Sequence, residues 1–314
     1  MDQIMSLHLV PRVLRYVEAV AENGSIQAAS RALGISASAI DRQIKLLEDR
    51  LDLQLFDRQS TGMDTTAAGE MFIVLSRRWR ADENAILSDV KQMQGVDLGL
   101  VRLATMDSLA NGPLPRLLDT IANEFPRVQM EVEIMTPDDA VAALNDGLAD
   151  LALGFNLKPA RDLHILWTAD LPLVCVCASD HPVARMSSIQ IKEVRAYPLV
   201  VQSRALAIRR ILEAHHTWLF ADAPPPLVTN SLQLLKQMVA AGTHVALTSE
   251  LDAATELASG RLVAIPISDA NIRNQTISLA VSVKRSLPRI CTTVSKALIG
   301  EISAIVREAC RSAD

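Results

Sequence analysis

The chain has 314 residues, of which 49% are hydrophobic, 21% charged and 3% aromatic, with a formal net charge of −5. At about 150 residues per domain this length predicts two domains and an attached smaller module, with a core large enough to need no disulfide or metal to fold. The mild negative balance excludes a polybasic protein that coats nucleic acid by bulk charge.

The opening stretch MDQIMSLHLVPRVLRYVEAV lacks the basic start, apolar core and small-residue cleavage site of a secretory signal. No run of about 18 apolar residues occurs, so a cytoplasmic chain with no membrane partner is expected. Val10, Val13, Leu14, Val17 and Val20 recur at helical spacing, with Pro11 tolerated in the first turn. Asn23-Gly24 ends that helix. Ser25 is placed to cap a second, IQAASRAL, which stops at Gly34, and Ser36 a third, ASAIDRQIKLLEDRL, whose apolar face is Ala39 or Ile40, Ile44, Leu47 and Leu51. Two short helices across the tight Leu33-Gly34-Ile35 turn form a helix-turn-helix, with Ala28 and Ala29 small enough for close approach. A winged hairpin is expected from Leu55 to Thr66.

From 63 to about 94 the pattern is one long helix. Phe72, Leu75, Trp79, Ile86, Val90 and Met93 come close to a seven-residue repeat, with one apolar position missing near Asp82. A helix of about 30 residues spans roughly 45 Å, too long to be covered by the small module beside it. It reads as a dimerisation helix, the alternative being an amphipathic helix packed on its own chain. Arg77, Arg78 and Arg80 fit a solvated face better than a DNA contact or acidic partners.

From Leu98 onward, β-rich runs alternate with helices. LGLVRLATM is a strand, Leu109 to Phe125 a helix, VQMEVEIM a strand, DDAVAALNDG a helix and LADLALGF a strand. This βαβαβ order predicts a parallel sheet with right-handed crossovers. LPLVCVCAS, PLVVQ, PLVTN, HVALTS and ISLAVSV repeat the theme, with helices at IRRILEAHHTWLF, SLQLLKQMVAA, DAATELASG and TTVSKALIGEISAIVREAC. Two α/β lobes follow, with the chain crossing between them twice. Ligands in such sheets sit beyond the carboxyl ends of strands, at helix N-termini. That rule selects Thr105, Asp107 and Ser108, then Asn156, then Gln202 and Ser203, then Thr229, Asn230 and Ser231, and Thr248. Each Ser, Asn, Asp or Thr could equally cap its helix, a reading at least as good for Ser231. Gln202 is a poor cap, which favours a binding role. Asp107 facing a cleft would repel an anion. Arg204 or Arg209 would attract one, unless they only lie along a helix surface.

The segment GSIQAASRALGISASAIDRQIKLLEDRLDLQLFDR, followed by TTAAGE, resembles the DNA-binding end of the LysR-type transcriptional regulators. The likeness continues through ATMDSLANGPLPRLLDTIANEFP, VAALNDGLADLALGFN, ASDHPVAR, AYPLVV and AAGTHVALTS, nearly the whole chain in order. It implies an α/β protein with an all-α winged-helix module (1–62), a linker and dimerisation helix (63–95) and a two-lobed, periplasmic-binding-protein-like effector domain (96–314). Lobe I would take about 98–167 and 270–314, and lobe II about 168–269. The implied partners are double-stranded promoter DNA, a small-molecule effector in the inter-lobe cleft, further copies as homodimer or homotetramer, and RNA polymerase as a candidate.

A recognition helix puts its N-terminal side chains on base edges. This places Ser38, Asp41 and Arg42 near bases and Ser36, Lys45 and Arg58 at phosphates. Asp41 stands where the family commonly has Ser; it either accepts from cytosine N4 or repels phosphate. Residues 1–62 hold seven Lys/Arg and eight Asp/Glu, a balance of −1, and the wing lacks a basic pair. DNA affinity therefore depends on placement.

No G-x-S-x-G, G-x-G-x-x-G, P-loop or H-E-x-x-H signal occurs, so no catalytic residue, cofactor or metal site is expected. The six His residues show no ligand spacing, and His244 reads as a loop residue. Cys175 and Cys177 share one face of a strand and, with Cys291 and Cys310, read as structural thiols. A bilobal enzyme would need a paired acid and base in the cleft, and none is found. A transporter's solute-binding protein is opposed by the helix-turn-helix and the missing signal.

Overall fold

The computed structural model describes residues 9–59, 62–93, 99–204, 206–221, 227–269 and 272–311. The expected boundary at 95–96 and the start of the first strand at Leu98 lie outside these residues, as does the side chain of Cys310.

The N-terminal module is three helices and a wing: α1 (Arg12–Asn23), α2 (Ile26–Leu33), α3 (Ala37–Leu51), β1 (Phe56–Gln59) and β2 (Gly62–Thr65). Gly24 and Gly34 end α1 and α2 in the left-handed conformation, at φ 69° and 65°. The Ser25 hydroxyl accepts from the Ala28 amide at 3.2 Å. The third helix departs from its expected face, because Glu48 is buried and Leu51 exposed. Glu48 accepts from the amides of Leu55 and Phe56 at 2.8 and 3.3 Å, satisfying buried donors where the wing begins. The wing docks on the α1–α2 turn. Met63 N–H donates to the Gly24 carbonyl at 2.9 Å, and a Cβ on Gly62 would sit 2.7 Å from that oxygen. Strand β2 belongs to this hairpin, so the long helix begins at Ala67 and not at 63.

That helix, α4 (Ala67–Met93), presents two different faces. Ile73, Ser76, Ala81 and Ala85 are buried against its own chain, whereas Trp79, Ile86, Val90 and Met93 stand exposed. The arginines are not simply solvated. Glu18 of α1, almost wholly buried, accepts from Ser76 Oγ at 3.0 Å and Arg80 Nη2 at 2.7 Å, with Arg77 Nε at 3.5 Å.

The first lobe holds β3 (Gly99–Thr105), α5 (Asp107–Ala110), α6 (Leu114–Glu124), β4 (Val128–Ile134), α7 (Pro137–Asp146), β5 (Leu151–Phe155) and β6 (Leu163–Leu171). Gly112-Pro113 splits the helix expected over 109–125 into α5 and α6. Across Pro172 the chain enters the second lobe. There lie β7 (Leu173–Ala178), a 3₁₀ turn (Pro182–Arg185), α8 (Ile191–Val194), β8 (Val200–Gln202), α9 (Ala207–His215), α10 (Trp218–Ala221), β9 (Leu227–Thr229), α11 (Leu232–Ala240), β10 (Ala246–Ser249), α12 (Ala254–Ala258) and β11 (Leu262–Pro266). It returns through β12 (Gln275–Ser282) and ends in α13 (Arg289–Arg311).

The larger sheet has the order β4-β3-β5-β12-β6. Strands β3, β4 and β5 are parallel as expected, but β12 runs antiparallel to β5 and β6. In the second lobe β10 and β11 flank β7 antiparallel, while β8 and β9 form a separate parallel pair. Cys175 and Cys177 sit in the β7 core, where burial pushes their thiols up to about 12 and about 11. Cys291 is buried in the first lobe and is raised likewise. These thiols stay protonated and inert near neutrality.

Candidate functional site

On the face presented by α3 and the wing, Ser36, Ser38, Arg42, Lys45 and Arg58 are exposed. Ser36 occupies the N-cap position without a capping hydrogen bond, and its hydroxyl faces that of Ser38 at 3.4 Å. Asp41 is committed within the protein: Lys45 Nζ lies 2.9 Å and Arg58 Nη2 2.6 Å from its carboxylate. Hydrogen bonds from Arg58 and then Lys45 hold that carboxyl below the usual range. Arg42, one residue on, has no ion-pair partner among the described residues. The six candidates therefore divide into an ion-paired trio of one carboxylate and two cations, a serine pair and, among the described residues, one cation without an ion pair.

The second site is a cavity of about 270 Å³ between the lobes, at the small end of ligand-pocket volumes. Its walls come from the carboxyl ends of β3 and β4, the N-terminus of α7, the start of α9, and the loop before α11. Of the candidates, Asp107, Ser108, Gln202 and Asn230 line it; Thr105, Asn156, Ser203, Thr229 and Thr248 do not. Those five are held by internal bonds. Thr105 is fully buried and donates to the Leu153 carbonyl at 2.9 Å. Asn156, at φ 49°, accepts from the Thr276 amide at 3.0 Å. Ser203 N–H donates to the Thr229 carbonyl at 2.8 Å, and the Thr229 hydroxyl accepts from the Ser231 amide at 3.0 Å. Ser231 in turn caps α11 by accepting from Leu234 N at 3.2 Å.

Thr248 acts one step removed. Its hydroxyl donates to Asp252 Oδ2 at 2.8 Å, and Ser249 Oγ donates to the same oxygen at 2.9 Å. Asp252 lines the cavity, as do Thr136 and Gln275, and the strand-end rule selects none of the three. Thr136 carries a readable signal, since Thr136-Pro137-Asp138-Asp139 is a helix start and Thr136 Oγ1 accepts from Asp139 N at 3.2 Å. Gln275 escapes because β12 is antiparallel, which brings the strand's first residue, not its last, to the cleft end of the sheet. Burial raises the Asp252 carboxyl, opposed by its hydrogen bonds to Thr248 and Ser249.

Neither candidate anion receptor faces this space. Arg209 stacks on Phe220 at 3.5 Å and pairs with Glu213 at 2.8 Å. Arg204 is 80% exposed and pairs with the same Glu213 at 3.1 Å. His244 is hydrogen-bonded to Thr243 at 2.7 Å and does not line the cavity. Among the described residues no group of three His, Cys, Asp or Glu could hold a metal, and no helix is long and apolar enough to cross a membrane.

The cavity is tied to the long helix. Arg78 Nε donates to the Asn145 carbonyl at 2.9 Å and approaches Asp146 at 3.6 Å, so α4 grips the C-terminal end of α7. Further along, Arg285 Nε reaches Asp82 at 3.5 Å, and Asp89 accepts from the Arg289 amide at 3.0 Å.

Comparison with known proteins bears on both sites. Residues 11–70 match the model of the bacterial regulatory helix-turn-helix protein, lysR family, and residues 94–300 that of the LysR substrate binding domain. The HTH-type transcriptional regulator CbbR of Rhizobium meliloti (strain 1021) is 29% identical over 91% of this chain and 90% of its own length. A probable nitrogen assimilation transcriptional activator of Synechococcus elongatus is 27% identical over 86% and 88%. Among solved structures, a full-length OxyR variant from Pseudomonas aeruginosa aligns with TM-score 0.72 at 19% identity, covering 93% of this chain and 95% of its own. Full-length CbnR complexed with its target DNA aligns with TM-score 0.64 at 20% identity, covering 92% and 99%.

Proposed function

The chain belongs to the LysR family of bacterial helix-turn-helix transcriptional regulators, and from that premise we propose how its own residues divide the work. Arg42 reads bases from α3, with Ser38 beside it. Ser36, Lys45 and Arg58 serve the phosphate backbone, the latter two to the extent that Asp41 releases them. A guanidinium paired with guanine O6 and N7 contributes about 1–3 kcal/mol of discrimination.

The exposed Trp79, Ile86, Val90 and Met93 of α4 are the face on which a second copy packs, giving a dimer or a pair of dimers in the cytoplasm. Burying such side chains stabilises an assembly by roughly 1.5–3 kcal/mol each. Two copies related by a two-fold axis then read an inverted repeat. RNA polymerase is the further partner such a complex addresses.

The effector enters the inter-lobe cavity and touches Asp107, Ser108, Gln202, Asn230, Thr136, Asp252 and Gln275. The observation that carries this reading is one of continuity. A single helix, α7, starts in the cavity wall at Pro137 and ends, ten residues on, in the grip of Arg78 of α4. At about 1.5 Å per residue it is a strut of roughly 15 Å. A ligand acts by favouring one arrangement of the lobes over another, and α7 passes that preference to the helix carrying the DNA module.

The test is selection of bound duplexes from a randomised pool with purified full-length chain at fixed salt. An inverted repeat with half-sites separated by about one helical turn or a multiple is the expected product. Failure to enrich any sequence, from protein shown to be folded and oligomeric, would overturn the proposal.

A further inference from the structure

The charged groups of the cavity and its buried atoms without partners are all acceptors, while Ser108, Thr136, Gln202 and Asn230 add neutral donors to the lining. Among the described residues no Lys, Arg or His side chain lines the cavity. Asp252 is 2% exposed and directs Oδ2 at the hydroxyls of Thr248 and Ser249, while Oδ1, also buried, meets no donor. Gln275, 2% exposed and also lining the cavity, likewise has Oε1 buried without a donor. Asp107 adds a second carboxylate at the rim. The charge beneath the floor acts on Asp252 but supplies neither missing hydrogen bond. Lys236, fully buried, is committed to Glu256 at 2.8 Å, and Arg261 reaches Glu256 only at 3.8 Å from the solvent side. Between these acceptors the walls are apolar: Met106, Met135, Phe155, Leu206, Ile208 and Leu232.

A buried acceptor without a donor is costly, and the cost is recovered when a ligand supplies an N–H. A carboxylate ligand would leave both oxygens without a donor and set its charge beside Asp107, whereas an amine also favours the ionised form of Asp252 that burial disfavours. We propose that the effector of this chain is a small apolar amine whose N–H groups donate to Asp252 Oδ1 and Gln275 Oε1, and that the cleft rejects carboxylates. The proposal rests on the reading of this cavity as the effector site.

Three probes of similar size test it on the full-length chain by titration calorimetry at neutral pH: benzylamine, benzyl alcohol and benzoate. A charge-assisted hydrogen bond to a buried carboxylate corresponds to about tenfold or more in affinity, so benzylamine is expected to bind at least that much more tightly than benzoate, with benzyl alcohol between them. Ala207→Trp, which fills the cavity, should abolish benzylamine binding. Asp252→Asn keeps an oxygen for Thr248 and Ser249 and turns an amide N–H toward the cavity, so it should erase or invert the preference. Gln275→Leu serves the same end with less risk to the fold and should weaken benzylamine and leave benzoate unchanged. Equal or tighter binding of benzoate, no binding of benzylamine at millimolar concentration, or benzylamine binding that survives Ala207→Trp would each overturn the proposal. The regulator reading fails separately: a chain that prefers benzoate yet enriches an operator keeps its DNA function, and one that prefers benzylamine yet enriches no sequence loses it.

Discussion

Replacing Asp41 by Asn should strengthen DNA binding and make it more sensitive to salt. In the protein this carboxylate holds Lys45 at 2.9 Å and Arg58 at 2.6 Å, on the face proposed to meet DNA. Each phosphate neutralised by a side chain adds about 0.9 to the slope of log affinity against log salt, and one carboxylate offsets one of the two cations, so its removal steepens the slope by about 0.9. Between 50 and 200 mM salt that amounts to an extra loss of about threefold in affinity. Fluorescence anisotropy of labelled duplexes, selected and scrambled, read at four salt concentrations would measure it. The fold should tolerate the change, since partly exposed ion pairs contribute only about 0–1 kcal/mol. That contribution has a defined pH window. The carboxyl is held below its ordinary value of 3.8, so the stabilisation is fully present above that value and is lost as pH falls through the lowered one. The slope of the parent protein should therefore not change between pH 6 and 8. An unaltered slope in the Asn variant would refute the latch. Loss of preference for the selected duplex, with scrambled binding retained, would show instead that Asp41 reads a base.

Arg42→Ala should abolish preference for the selected duplex, a loss of about 1–3 kcal/mol per recognised base, while oligomeric state and melting temperature stay as in the parent; retained preference would move the reading head elsewhere. Arg78→Ala removes the grip of α4 on α7 and should leave effector affinity intact while flattening the effect of that ligand on DNA binding, scored by anisotropy with and without it. Gln202→Ala, in contrast, should weaken effector affinity and leave basal DNA binding alone, and an unaltered dose–response curve would remove Gln202 from the site. Ile86→Glu puts a charge on the exposed face of α4 and should shift the chain toward monomer in analytical ultracentrifugation; an unchanged sedimentation profile would place the interface on another surface.

The parts of this molecule readable from sequence are those governed by local rules. The caps at Ser25 and Gly34, the small Ala29 and the alternation in β4 each specify their element within a few residues. The cavity residues Asp107, Ser108, Gln202 and Asn230 follow from a rule about parallel strand ends and line the space described. Thr105 and Thr248 obey the same rule yet lie beneath the floor, because a strand-end position does not reveal whether a hydroxyl points to ligand or to a neighbouring strand. Gln275 was invisible to it for want of strand direction. The edge strand β6 reads weakly because its Thr168 and Asp170 interrupt the apolar run, and β11 is a short segment between turns. The pairings of Arg77 and Arg80 with Glu18 and of Arg78 with Asn145 and Asp146 span more than 55 residues, so no helical spacing could announce them.

The buried carboxylate of Glu18 bears on how such a protein can adjust its hold on DNA. With Ser76 and Arg80 fastened to it, the joint between the three-helix head and the rod below it is stiffened where a swivel would otherwise sit. Breaking that clasp would strand a charge inside the protein, which is strongly destabilising. In a two-fold pair, then, the separation of the reading heads is set by the crossing of the rods, like the fixed jaws of a calliper. Any change of grip imposed by the effector must then move head and rod together, by tilting one calliper against another or by bending the duplex between them.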